Sequence, residues 1–345
     1  MTRVLIRVRA DGAVGQGHLG RCLPLAKAFR ENAAEPYLAI ESDSPHLGLI
    51  AAAGMQTLLQ RSWAAADVAA AARELDATAI VLDVHDLLAG DVSALRDDSV
   101  PLASLSVVGE GVGLVDLLAN PVAHAALALW PHLPLNPDLR ILAGAEAAIV
   151  DWPRLAPLIG LEKDPGLVVL TLGGGDGHTH RLLSAAECLA AFPAITSIRV
   201  FIGKAFRRPD ELRRRMVAIG ERITVEHDSP DLPRALARAR IAVCGYGTTL
   251  YEAAALGTPT VVVPLSATHE HFGRVAERQG FSQCLSWVDG VDEAGLRAAV
   301  SRFVGDGPFH QMACAAGAAA VSSGAARRVA EAVLTLPRLD RATQL

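Results

Sequence analysis

An apolar run from Val4 to Val8 passes through a glycine-rich turn straight into a helix, and no other segment restricts the fold of this chain as tightly. The turn reads Arg9-Ala10-Asp11-Gly12-Ala13-Val14-Gly15-Gln16-Gly17-His18-Leu19-Gly20, and the following helix carries apolar side chains at Leu23, Leu25, Ala26 and Phe29. A buried strand feeding an amphipathic helix is the building unit of layered α/β folds. Gly15, Gly17 and Gly20 let backbone amides approach a ligand closely, and a helix N-terminus suits an anion. His18 stands at that N-terminus, where the dipole favours a neutral imidazole able to accept a proton. Asp11 shares the loop and is read as its helper in acid–base work.

The same alternation continues along the 345 residues. Strands are expected at 3–8, 36–40, 79–83 and 101–107, with helices at 18–31, 44–53, 64–75 and 90–97. Prolines cluster between Asp151 and Gly166, which marks a linker. A second series then places strands at 167–172, 198–202, 222–226, 240–244, 260–263 and 283–286. Its helices fall at 179–191, 209–219, 231–238, 248–256, 270–279 and 292–304, before a helical stretch at 310–334. The expected organisation is an N-terminal Rossmann-like domain at 1–150, a linker at 151–166, a C-terminal nucleotide-binding domain at 167–335 and a tail at 336–345. Two doubly wound α/β domains facing a central cleft place ligands at the carboxyl ends of their strands.

Further loops follow strands in this way. Leu172-Gly173-Gly174-Gly175-Asp176 leaves the strand at 167–172; Gly174 and Gly175 permit close backbone approach, and Asp176 caps the helix or binds a hydroxyl. Gly245-Tyr246-Gly247-Thr248-Thr249-Leu250-Tyr251-Glu252 sets hydroxyls and amides of Thr248 and Thr249 at a helix N-terminus, ready for phosphate oxygens. Glu252, about one turn in, suits a ribose diol or simply faces solvent. Asp83 ends its strand and points into the cleft, or caps the turn. His269 and Glu270 either contact a ligand or cap a helix.

Other chemistries fit poorly. Gly15-Gln16-Gly17-His18-Leu19-Gly20 matches the dinucleotide pattern GxGxxG, with Glu41 and Asp43 following, but a hydride-transfer enzyme leaves the Gly247–Glu252 segment without a purpose. A net charge of −5 argues against general nucleic-acid binding. His269/His271 and His178/His180 are spaced at i, i+2 and do not share a helix face, so no metal site and no cofactor is expected. Cysteines at 22, 188, 244, 284 and 314 form no close pair, which fits reduced thiols in the cytoplasm. No secretory leader and no membrane span is expected.

The ordered set Arg9-Ala10-Asp11-Gly12…Gly15-x-Gly17-His18-x-x-Arg21-Cys22-Leu23, Asp83, Asn120-Pro121, Leu172-Gly173-Gly174-Gly175-Asp176, Phe201-Ile202-Gly203-Lys204 and Gly247-Thr248-Thr249-Leu250-Tyr251-Glu252 resembles the UDP-sugar hydrolases of pseudaminic acid biosynthesis. The resemblance spans most of the chain and implies a GT-B fold. It implies an enzyme that cleaves the bond between a sugar's anomeric carbon and a nucleoside diphosphate, with water activated by His18 and inversion at that carbon. UDP phosphates then sit at Gly247 to Thr249, the ribose at Glu252, and Gly203 belongs to the substrate site. The chain departs from the family's pattern at Ala267-Thr268-His269-Glu270-His271, where an Asn-Gln pair is usual, and at Asp83-Val84-His85-Asp86, where Asp-His-Tyr-Gly is usual. Both departures fall on the sugar side, where a glycosyltransferase moving the sugar to a small-molecule hydroxyl, amine or thiol differs from a hydrolase.

Overall fold

The structure is a computed structural model that describes residues 2–10, 17–60, 64–96 and 100–337. It divides into two compact units. The first comprises Met1–Gly12, His18–Asp151 and Ser323–Leu345; the second holds Ala13–Gly17 and Trp152–Ser322.

The first unit is built on strands β1 (Thr2–Val8), β2 (Ala34–Glu41), β3 (Gln56–Gln60), β4 (Ala79–Asp83), β5 (Leu102–Ser104), β6 (Leu117–Ala119) and β7 (Arg140–Leu142). They form one parallel sheet in the order β3-β2-β1-β4-β5-β6-β7. A parallel sheet covered on both faces needs strands that are almost wholly apolar, and Val4–Val8, but for the buried Arg7, and Ala79–Leu82 supply the two central ones. Alternate residues feed different cores. Val4, Ile6, Val8 and Val81 pack on the helix Gly17–Glu31, while Leu5, Ile80 and Leu82 pack on the helices Ala65–Leu75 and Ala89–Arg96. The sheet order reverses direction between β1 and β4, so the loops leaving these two strands diverge and open a crevice at their carboxyl ends.

The second unit repeats the plan with β8 (Asp164–Thr171), β9 (Ser197–Ile202), β10 (Ile223–His227), β11 (Ala239–Cys244), β12 (Thr260–Val262) and β13 (Ser282–Cys284). Their order is β10-β9-β8-β11-β12-β13, again all parallel, with the reversal between β8 and β11.

The C-terminal end differs from the sequence reading in two respects. The stretch expected to be helical at 310–334 splits into Gly307–Ala320 and Ala325–Leu334. The second of these belongs to the first unit, not to the C-terminal domain: Ala325, Val329, Ala330 and Val333 join the same core as Val4, Leu25 and Phe29. Arg328 donates to the Glu146 carbonyl and Arg140 to the Thr335 hydroxyl, which fixes the helix along that surface. Truncation after Ser322 is expected to expose this core. Hydrogen exchange of β1 amides should speed up, while protection of β8 and β11 is retained.

Among the described residues, no helix is long and apolar enough to cross a membrane.

Candidate active-site residues

In the first unit, Asp83 ends an otherwise apolar strand and is fully buried. A carboxylate in that position requires partners. Its Oδ1 lies 2.6 Å from His18 Nδ1 and accepts from Arg21 Nη2 at 2.5 Å. Its Oδ2 accepts from Arg21 Nε at 2.7 Å and from the Cys22 thiol at 3.3 Å. Burial works against the charge on Asp83, but Arg21 and then His18 outweigh it and hold the carboxyl well below the usual range. Burial, reinforced by the neighbouring carboxylate, pushes the Cys22 thiol up, so it stays protonated and donates.

This geometry assigns the tautomer of His18. An ionised Asp83 can only accept, so Nδ1 carries a proton, and in the neutral imidazole that leaves Nε2 as the acceptor. Among the described residues nothing bonds to Nε2, and the His18 side chain keeps 19% of its surface exposed. The pair is therefore a histidine oriented by a buried carboxylate, with Arg21 donating to both oxygens of the same carboxylate.

The end of β1 and Ala10 beyond it are held by side chains of the neighbouring strand and its loop. Arg7 is buried and donates to the Ala39 carbonyl and to Glu41 Oε1, at 3.1 and 3.3 Å. Glu41 Oε2 in turn accepts from the Ala10 amide at 3.4 Å, and Ser44 donates to the Ala10 carbonyl at 2.6 Å. Glu41 is thus engaged by Arg7 and Ala10, which counts against its holding a ribose as the dinucleotide pattern requires.

In the second unit, a cavity of about 260 Å³ lies at the carboxyl ends of β8, β9 and β11. Gly17, Gly174, Gly203, Gly247, Thr248 and Thr249, all candidates from the sequence, line it. Tyr246 and Leu265 supply apolar wall, and Tyr246 is held by ring contacts with Tyr251, His269 and Phe272 at 5.5–6.4 Å between centroids. Thr248 opens the helix Thr248–Ala255, whose N-terminal amides face an anion favourably. Two glycines here are required by geometry. Gly173 has φ +100°, and a Cβ on Gly203 would stand 2.7 Å from the Gly174 Cα. Gly203→Ala is expected to force these loops apart and lower unfolding free energy by about 1–3 kcal/mol, read from urea denaturation.

Several expected site residues have other work. Asp83 was expected to contact substrate; its oxygens are instead spent on His18, Arg21 and Cys22. Asp176 accepts from the Arg207 backbone amide and from Arg207 Nε, each at 2.8 Å, and so ties the glycine loop to the loop after β9. Glu270 accepts from the Trp287 amide at 2.8 Å and from Arg274 at 3.1 Å, the first of which chiefly depresses its carboxyl. It anchors its helix rather than reaching for a ligand. That helix starts at Ala267, earlier than 270, because the Ser266 hydroxyl caps it by accepting from the His269 amide. Gly175 and Glu252 lie outside the cavity lining, Glu252 half-buried one turn into its helix. Gly17 is the first residue of the helix bearing His18. Asp11 and Gly15 lie outside the described residues.

The sequence reading missed Arg21 and Cys22 as partners of Asp83, and Asp228 and Ser229 as cavity lining. The Arg21 signal was present: an arginine one turn beyond the candidate histidine and bonded to the same strand end. Among the described residues, no cluster of three or more His, Cys, Asp or Glu side chains is arranged to hold a metal ion.

No protein-family model matches the sequence, and no curated protein matches it significantly. Solved structures do. The spinosyn rhamnosyltransferase SpnG complexed with thymidine diphosphate superposes with TM-score 0.62 at 14% identity, over 96% of this chain and 100% of that one. MnaA of S. aureus in its UDP co-structure gives TM-score 0.65 at 14% identity, covering 95% of each chain. The calicheamicin glycosyltransferase CalG4 gives 0.62 at 15% identity, over 96% of this chain and 98% of that one. Two parallel doubly wound units with these neighbours make the fold GT-B.

Proposed function

We propose that the chain is a glycosyltransferase-like enzyme that takes a nucleoside-diphosphate sugar and displaces the diphosphate at the anomeric carbon. The observation that carries the reading is the His18–Asp83 pair, a base with one nitrogen locked and the other available. In the displacement, an attacking hydroxyl oxygen bonds to the anomeric carbon while its proton passes to His18 Nε2. The bond from that carbon to the diphosphate oxygen breaks, and its electron pair leaves with the nucleoside diphosphate. A single displacement inverts the carbon. Asp83 keeps Nδ1–H in place and stabilises the imidazolium that forms.

The second unit is assigned the nucleotide. Its glycine loops leave room for backbone contact, Thr248 and Thr249 offer amides and hydroxyls to the phosphates, and Tyr246 and Leu265 suit a planar base. Preorganised amides aimed at the leaving diphosphate supply charge stabilisation at the step where charge develops. Glu252 is retained as the ribose partner in this reading. The nucleotide carried by two of the solved neighbours is UDP or thymidine diphosphate, which sets the first ligands to try.

The attacking hydroxyl belongs to a small-molecule acceptor in the reading preferred here. Water in its place makes the chain a hydrolase, and the N-terminal motif Gly15-x-Gly17-His18-x-x-Arg21 favours that second reading. Calorimetric titration with UDP, thymidine diphosphate and NADH tests the common part. Binding of a nucleoside diphosphate, weakened about tenfold or more in Thr248→Ala/Thr249→Ala, supports it. NADH binding with no nucleoside diphosphate bound overturns it. Product analysis with and without an acceptor alcohol then separates transfer from hydrolysis.

A further inference from the structure

Three residues of the helix Gly17–Glu31 meet one carboxylate. His18, Arg21 and Cys22 stand at i, i+3 and i+4, so they share a helix face, and all three bond to Asp83 at the end of β4. Arg21 takes both oxygens at once: Nε lies 2.7 Å from Oδ2 and Nη2 2.5 Å from Oδ1. Oδ1 is also the oxygen that holds His18 Nδ1, at 2.6 Å. The Nη2 and Nδ1 nitrogens are 3.3 Å apart. Both carry protons in this arrangement, so they are two donors converging on one oxygen rather than bonded to each other.

The two-pronged grip matters because an aspartate does not fix its own plane. Rotation of its carboxyl group is soft, with broad rather than sharply staggered preferences. The Cys22 thiol, a weak donor 3.3 Å from Oδ2, gives little resistance to a tilt of that plane. A planar guanidinium holding both oxygens fixes it, which an ammonium on one oxygen does not do. A hydrogen bond to a carboxylate oxygen lies near the carboxylate plane, so fixing the plane fixes the direction of the His18 ring and hence where Nε2 is held. Burial opposes the charge on Asp83, and Arg21, ahead of His18, is the largest of the influences that overcome it. A protonated Asp83 would donate to Nδ1, which moves the ring proton to Nε2 and leaves no acceptor there.

We propose that Arg21 is a positioning residue of the reaction, acting through Asp83: its guanidinium fixes the plane of the carboxylate and so sets both the direction and the tautomer of the His18 ring. The inference rests on the reading of His18 as the base, but the arrangement itself can be tested without turnover. Two variants separate charge from orientation. Arg21→Lys keeps a cation beside Asp83 and loses the two-pronged grip; Arg21→Met removes both. Each full-length protein is read by calorimetry with UDP, by single-turnover kinetics with a UDP- or thymidine-diphosphate sugar, and by heteronuclear NMR of the chain carrying isotope-labelled histidine. His18→Gln assigns the His18 signals.

Wild type is expected to show His18 protonated at Nδ1. Arg21→Lys is expected to keep that tautomer and to lower kcat about tenfold, because the proton acceptor is present but poorly aimed. Arg21→Met is expected to show the Nε2–H form and to lower kcat about 10²-fold or more. UDP affinity within about twofold of wild type in both variants separates this effect from a general loss of structure. Circular dichroism checks that the variants are folded. Full kcat in Arg21→Lys overturns the proposal, as do an Nε2–H tautomer in wild type and a folded Arg21→Met that keeps both the Nδ1–H tautomer and its kcat. Should Arg21→Met not fold, Arg21→Lys alone decides. If the tautomer responds as expected but wild type turns over no nucleoside-diphosphate sugar, the positioning arrangement stands and the catalytic reading falls. If the sugar is turned over and neither variant changes kcat or tautomer, the catalytic reading stands and this proposal falls.

Discussion

His18→Ala is expected to lower kcat by about 10²–10⁴-fold while leaving UDP affinity within about twofold of wild type. The separation follows from where the parts sit. His18 has its contacts in the first unit, with Asp83 and Arg21, whereas the glycine loops and Thr248 belong to the second. Removing the imidazole takes away the proton acceptor and none of the nucleotide's proposed contacts. Single-turnover kinetics with a UDP- or thymidine-diphosphate sugar, together with calorimetry on the same preparation, reads both quantities. Residual turnover within tenfold of wild type would remove His18 from the role of base.

Asp83→Asn is expected to act on activity and stability at once. The amide can donate to Nδ1 and so favours the wrong tautomer of His18; the comparable change beside a catalytic histidine in a serine protease costs about 10⁴-fold in kcat. It also leaves the Arg21 guanidinium facing a neutral group in a buried site. Breaking such a pair costs about 3–5 kcal/mol. The pH dependence has a definite sign. Asp83 is held below the usual carboxyl range, so its contribution to stability is complete above the unfolded value of about 3.9 and is lost as pH falls toward the folded value. The gap in urea midpoint between wild type and Asp83→Asn should therefore be widest near neutral pH and narrow below pH ~4. A gap that stays constant from pH 7 to 3 would show that Asp83 stabilises the fold by packing rather than by charge.

The parts of this molecule that were legible in the sequence are those with a strong local signal. Ala79–Leu82 is apolar throughout, and Val4–Val8 and Leu167–Leu172 are apolar but for Arg7 and Thr171, as suits central parallel strands, and glycine loops follow two of the three. Strands β6 and β7 have three residues each, too few for any period to emerge. Strand β3 reads Gln-Thr-Leu-Leu-Gln and lies at the sheet edge, mostly exposed, where polar residues cost little. That Asp83 partners His18 was not legible because the pairing is not local. Asp11 is seven residues away in sequence and Asp83 is 65, yet β1 and β4 are hydrogen-bonded neighbours and bring the second to the histidine. A carboxylate closing an all-apolar strand was the one clue. Glu270 and Asp176 were legible as acids at strand ends, but what occupies an acid depends on distant amides and arginines such as Trp287 and Arg207, which no motif records.

The helix Ala325–Leu334 has a consequence for the way the protein comes off the ribosome. Domains ordinarily fold in the order in which they are synthesised, the N-terminal one first. Here every strand of the second unit has been made before the residues that complete the first unit's core. The unit begun first is finished last. Leu19 and Cys22, which flank His18 and Asp83, share that core with Val329 and Val333. The His18–Asp83 pair is therefore expected to settle only when synthesis has passed residue 333, after the strands behind the second unit's cavity have been made. Under the proposed function, a nascent chain acquires the means to hold a nucleotide before it acquires a fixed base to act on one.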